Sequence, residues 1–138
     1  MKQSNSIYTR TFRAAGAVVA HRLVTMAGAQ ATTQGEKVMG ASAFDVDDTK
    51  LGVAEIIGTT VVEAGAAIGI GDSLITDSAG RAIPVTGNLA VTAGATAVTS
   101  SAANGEILEG ADLPEFVFAD ALESASAAGE FIEVLLRR

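Results

Sequence analysis

The side chains best equipped for chemistry in this 138-residue chain are Ser73, the lone histidine His21 and a set of 16 acidic residues. Gly71-Asp72-Ser73-Leu74 puts a serine just behind a glycine turn, a setting that can present a hydroxyl as an acyl-transfer nucleophile. Such a serine needs a base on its hydroxyl and an acid to orient that base. His21 stands upstream of the serine, and no Asp-x-x-His follows it.

The serine esterases that share this four-letter block carry Asp and His together near the C-terminus, and this chain is short for their α/β fold. The block therefore reads as a turn, with Gly69-Ile70-Gly71-Asp72 ending one strand and Ser73 beginning the next. Gly69-x-Gly71 also begins a dinucleotide fingerprint, but Leu74 stands where the third glycine would be and no helical pattern follows. Asp45, Asp47 and Asp48 form an acidic cluster. A calcium loop counted from Asp45 needs glycine at its sixth position, which is Lys50, and a closing Glu that is missing. The cluster reads as a solvated loop. His21, beside Arg22, reads as a surface or interface histidine, and the pair Glu106 and Glu109 has no chemical neighbour. The chain is expected to be no enzyme, with no catalytic residue, no metal site and no cofactor.

Composition narrows the classes further. No cysteine is present, which excludes disulfides, thiol nucleophiles and Cys-based metal sites. Hydrophobic residues make up 49% of the chain, but alanine alone supplies about a fifth. Alanine buries little area per residue, and aromatics are only 4%. A monomer would have a thin core, so self-association is expected. No apolar run is long enough to span a bilayer. Residues 1–35 carry a charge of +4 and the remainder −11. An acidic body repels phosphate, which argues against nucleic acid as the partner. A basic leading segment suits contact with an acidic protein surface.

The elements that position these residues read as short strands. Ser6-Ile7-Tyr8-Thr9-Arg10-Thr11-Phe12-Arg13 is rich in β-formers and can serve as an edge strand or lie as an arm along another protein. The next residues, with Ala14 to Ala20 apolar behind three basic residues, resemble a secretory signal. That apolar stretch is seven residues long, at the lower limit for such a signal. The preferred reading is a strand over 21–26 entered from a turn at Gly16. Glycines recur through 28–87, with β-rich runs between them: 38–39, 51–57, 59–62 and 73–76. Asp77-Ser78-Ala79-Gly80 reads as a hairpin turn returning through Arg81-Ala82-Ile83, with Pro84 limiting the return strand. Residues 87–105 are low in complexity and read as a strand or two joined by a mobile loop, with Asn104-Gly105 as a turn. Residues 116–122 and 131–136 close the chain as strands, the last apolar on one face. The fold class is all-β, a compact barrel or sandwich.

Three blocks in order resemble the capsid cement, or decoration, proteins of tailed bacteriophages. They are Leu51-Gly52-Val53-Ala54, the stretch from Ala64 to Ala82 with its Gly-Asp turn and Asp-x-x-Gly-Arg hairpin, and the ending from Ala121 to Leu136. The likeness spans roughly residues 14–136, and residues 87–115 depart from it as an added length. It implies a small β-barrel of the β-tulip kind (residues 14–138) behind an extended N-terminal arm (1–13). It also implies a structural protein, made in the host cytoplasm, that binds the major capsid protein on the outer surface of the virion. Such proteins commonly assemble as homotrimers; a dimer is the alternative. On this reading Tyr8 and Phe12 anchor the arm, and Arg10 and Arg13 pair with capsid carboxylates. The competing reading is a non-enzymatic β-domain binding a host surface or carbohydrate, for which one tyrosine and five phenylalanines are a poor supply of stacking platforms. Neither nucleic acid nor membrane is an expected partner.

Overall fold

The computed structural model describes residues 3–86 and 115–137. Eight strands follow in chain order: β1 (Asn5–Arg13), β2 (Leu23–Thr25), β3 (Val38–Ser42), β4 (Leu51–Glu63), β5 (Ser73–Thr76), β6 (Ala82–Pro84), β7 (Ala119–Ala121) and β8 (Phe131–Leu136). No helix occurs among the described residues. A single sheet runs in the order β2-β3-β4-β8-β7-β5-β6, every pair antiparallel, with β1 attached beside β4.

The sheet curls until its two ends meet. Leu23 N–H donates to the Gly80 carbonyl at 2.8 Å, and Gly65 N–H donates to the Ala82 carbonyl at 2.7 Å. Arg22 adds a side-chain clasp, with Nε to Glu63 at 2.9 Å and Nη1 to the Ala79 carbonyl at 3.2 Å. The result is a small, nearly closed all-β barrel, in agreement with the expected fold class. Closure satisfies strand edges that would otherwise stay unpaired.

Small side chains set the scale of the interior. The barrel cluster contains Leu23, Val38, Val62, Leu74, Ile132 and Val134 among several alanines. A second cluster joins Phe12, Ala14, Val18, Val24, Met39, Val46 and Ala54. Adjacent residues of one strand serve different clusters, Leu23 and Val24 on β2 and Val38 and Met39 on β3, because successive side chains leave opposite faces. Strand β4 serves both: Ala54 and Ile56 belong with the second cluster, Val62 and, just past the strand's end, Ala64 with the first. The changeover falls at Gly58, whose φ of +111° is open to glycine and strained for other residues. Runs 51–57 and 59–62 are thus one 13-residue strand with a bend, and not two strands.

The other expectations fare unevenly at their ends. The strand foreseen over 21–26 narrows to 23–25, and His21 sits just before it at φ 62°. That over 38–39 lengthens to Ser42, and 116–122 contracts to 119–121. The hairpin turn forms as read: Asp77 Oδ1 accepts from Ala79 and Arg81 N–H, both at 2.8 Å, and Gly80 takes φ 75°. Residues 87–105, the Asn104-Gly105 turn and Glu106 with Glu109 lie outside the described residues.

Candidate functional site

The four residues expected to meet a partner lie on β1, and the structure splits them. The alternation of threonine, arginine and aromatic residues makes an extended strand with few residues to bury. It pairs with residues 51–59 of β4, from Arg13 opposite Leu51 to Asn5 opposite Thr59. Phe12 turns inward and is only 7% exposed. Its ring lies over Gly52, where an added Cβ would come within 2.7 Å of the ring. Phe12 is therefore a core residue of its own chain and no anchor for another, because the second cluster lacks any other aromatic to fill that space. The alternation along β1 does not reveal this; the missing side chain at Gly52 is the available clue.

Tyr8, Arg10 and Arg13 face outward. Tyr8 is half exposed and stands opposite Ile57, between two irregularities that leave Ile7 and Ile56 without a register partner. Ile7, unremarked in the sequence, is the most exposed large apolar side chain of the described residues at 77%. Arg13 donates Nη1 to the Thr49 carbonyl at 2.8 Å. The Arg10 side chain makes no hydrogen bond or ion pair among the described residues, while its backbone pairs opposite Ala54. The leading segment is extended, as expected, and its backbone lies on β4 of the same chain. It continues without a break into the body, since Ala14 is buried and its N–H donates to the Lys50 carbonyl at 2.8 Å.

A cleft of about 270 Å³ opens beside the end of this strand, lined by residues 10–13, the turn 26–28 and Met39. Met39 is buried and Met26 is half exposed. Gly28 approaches the Arg13 carbonyl so closely that a Cβ there would collide with it, and this contact bounds the cleft. Arginines elsewhere on the described chain are matched to carboxylates: Arg22 to Glu63, Arg81 to Asp77 and Arg137 to Asp120. Arg10 and Arg13 have no such match, so positive charge is concentrated at this end of β1.

The residues singled out for catalytic or metal chemistry are placed apart and given other duties. Ser73 Oγ donates to Asp120 Oδ1 at 3.3 Å. Asp72 Oδ2 accepts from Gly69 N–H at 2.7 Å, closing the turn read from the sequence. His21 Nδ1 lies 3.1 Å from the Val61 carbonyl, and its ring meets Phe131 edge-on at 5.4 Å between centroids. With a carbonyl as its partner, Nδ1 carries the proton. Asp45 and Asp48 accept from the backbone N–H of Ala20 and Gly16, both at 2.8 Å, and so hold the 14–20 loop over the second cluster. Among the described residues no group of three or more His, Cys, Asp or Glu comes together around a metal-sized space.

No family profile matches the sequence, and no curated protein matches it. Among solved structures the chain is similar to the crystal structure of the head fiber gp8.5 N base in bacteriophage phi29. The likeness covers 94% of this chain and 93% of that one, at 24% identity and a TM-score of 0.53. It is a likeness of fold: the barrel described above, end to end, is an architecture already known in a solved protein.

Proposed function

We propose that this chain is a structural protein of a phage virion that docks on the outer surface of the capsid, as a homotrimer, and stabilises the mature shell. It acts by binding and carries no catalytic activity. The observation that carries this reading is the fold shared with a phage head fiber base over nearly the full length of both chains. The cement-protein resemblance of three ordered sequence blocks points the same way. So does the concentration of exposed Ile7 and Tyr8 with unmatched Arg10 and Arg13 on one outlying strand. A protein that binds the mature lattice and not its dissociated parts stabilises the lattice by mass action. Many modest contacts repeated over the shell make a large total.

The test is electron microscopy of its virion, or of mature capsids mixed with the protein. The expected result is a protrusion at symmetry-related positions and a higher rupture temperature for decorated capsids. Bare shells with an unchanged rupture temperature would overturn the reading. Light scattering should give three times the 13.9 kDa chain mass. Deleting residues 2–13 is a poor control, because it also removes Phe12 from the core.

A further inference from the structure

The barrel is built from one unit used twice. A shift of 50 positions carries Arg13 onto Glu63 and Leu23 onto Ser73, and their partners Leu51 and Ala41 recur as Phe131 and Asp120. The pairing of Val18 with Val46 recurs as Ile68 with Ala125. The bonds from Ala14 N–H to the Lys50 carbonyl and from His21 N–H to the Ser42 carbonyl recur as Ala64 to Glu130 and Gly71 to Ala121. The positive φ of His21 and Thr49, 62° and 65°, recurs at Gly71 and Gly129, 87° and 91°. Strands β1 to β4 thus form one half, and β4, β5, β7 and β8 the other. β4 closes the first half and opens the second. In repeat architectures neighbouring units cover one another.

The first half covers the second in this way. Glu63, on the strand that opens the second half, donates its N–H to the His21 carbonyl at 3.0 Å, and its carboxylate receives Arg22. Arg22 and Leu23 lie beside the turn of the second half, with Arg22 Nη1 on the Ala79 carbonyl and Leu23 N–H on that of Gly80. The cleft beside β1, along residues 10–13 and the turn 26–28, is the counterpart of that groove.

Both halves of the contact have a second version. Arg13 stands where Glu63 does. Ala14 N–H points to Lys50, so the Arg13 N–H points away from β4, the one described strand that β1 pairs with. Gly71 and Asp72 stand where His21 and Arg22 do. Gly71 is exposed, and its carbonyl accepts from no described backbone N–H. The charges are exchanged but still opposite: Arg22 with Glu63 becomes Asp72 with Arg13.

We propose that copies of this chain associate head to tail, the Gly71-Asp72 turn of one copy seated in the cleft beside β1 of the next. The Gly71 carbonyl meets the Arg13 N–H, and the Asp72 carboxylate meets the Arg13 guanidinium. Arg13 does this while holding the Thr49 carbonyl, as Arg22 holds the Ala79 carbonyl while gripping Glu63. Asp72 keeps its bond from Gly69 N–H, since a carboxylate accepts from several donors. A head-to-tail contact joins unlike surfaces and closes into a ring where the rotation permits. A ring of three rests on the function proposed above; the contact itself does not.

The experiment follows self-association of the full-length protein by sedimentation velocity over a dilution series. Asp72→Arg and Arg13→Glu should each weaken association about tenfold, and the two together in one chain should restore it to within about threefold of wild type. Asp72→Asn, which keeps an acceptor for Gly69 N–H, should weaken association with the melting temperature unchanged. Hydrogen exchange at the Arg13 amide should slow as concentration rises. A wild type that stays monomeric at millimolar concentration, single variants that associate like wild type, or a folded double variant that fails to recover would each overturn the inference. So would an Arg13 amide equally protected at every dilution, which gives it an acceptor in its own chain, residues 87–114 included. The two proposals fail separately. A monomer that decorates capsids sinks the contact and keeps the capsid reading; head-to-tail association without decoration does the reverse.

Discussion

Arg22 grips Glu63 with two nitrogens, Nε to Oε2 at 2.9 Å and Nη2 to Oε1 at 3.2 Å, across the line where the barrel closes. The residues belong to the approach to β2 and the end of β4, and Arg22 Nη1 reaches on to the Ala79 carbonyl of the β5–β6 turn. Gln30 Nε2 meets the same carbonyl at 3.0 Å. Three segments far apart in sequence are thus joined by one planar side chain.

Removing one partner of this clasp should cost more than an ordinary surface pair, because both side chains are largely covered, at 23% and 14% exposure. Glu63→Gln and Arg22→Met should each lower stability by about 1–2 kcal/mol. Arg22→Lys should recover only part of it, since a point charge cannot fork. Urea denaturation followed by far-ultraviolet circular dichroism measures this. A loss no larger than that of an exposed control would show that backbone pairing alone closes the barrel.

Phe12 and Tyr8 sit four residues apart on one strand and should behave as opposites. Phe12→Ala empties the centre of the second cluster and should cost about 3–4 kcal/mol. Tyr8→Ala should stay within about 0.5 kcal/mol, as at an ordinary surface position. Thermal unfolding of the two variants side by side decides the matter, and similar losses would contradict the buried placement of Phe12.

Gly58→Ala should be among the most damaging single-methyl changes in the chain. A Cβ there would strike the Asn5 carbonyl oxygen of β1, in addition to the strain of φ +111°. Gly71→Ala is the control, with φ +87° but nothing within 4 Å of the added atom. The control should cost about 1–2 kcal/mol from backbone strain alone, and Gly58→Ala clearly more. Hydrogen exchange should show β1 amides losing protection in Gly58→Ala and keeping it in Gly71→Ala.

Thr86 and Glu115, which flank residues 87–114, are tied together. Thr86 N–H donates to Glu115 Oε2 at 2.9 Å and its hydroxyl donates to Oε1. The described chain on either side of residues 87–114 is therefore held together at one place. Replacing 87–114 with a short Gly-Ser linker should leave the melting temperature of the barrel within a few degrees, by differential scanning calorimetry, since loop-closure cost changes slowly with length. A collapse in stability would show that the segment is part of the body.

Much of the architecture was legible in local residue chemistry. The Asp77–Gly80 turn has an acceptor where two N–H groups converge and a glycine where φ is positive, so it forms wherever the chain is. β8 was legible because alternation over Phe131–Leu136 states which face is buried. The turn at 69–72 likewise followed from its glycines and Asp72, and not from the serine beside it.

Other features depended on partners distant in sequence. Nothing in Phe12 says whether it points into its own core or toward another protein; Gly52, forty residues away, decides by leaving room for its ring. The run of β4 through Gly58 looked like two strands, because a glycine at a bend and a glycine in a turn read alike until β1 is laid beside it. The cleft beside β1 is made by residues 10–13, 26–28 and 39 together. By itself the sequence determined the all-β class, the main turns and the excess of positive charge on the leading segment, all of which follow from short-range backbone preference and composition. Only the tertiary structure decided which arginines are neutralised by carboxylates of their own chain, Arg22, Arg81 and Arg137, and which are not, because pairing is a matter of distance through space.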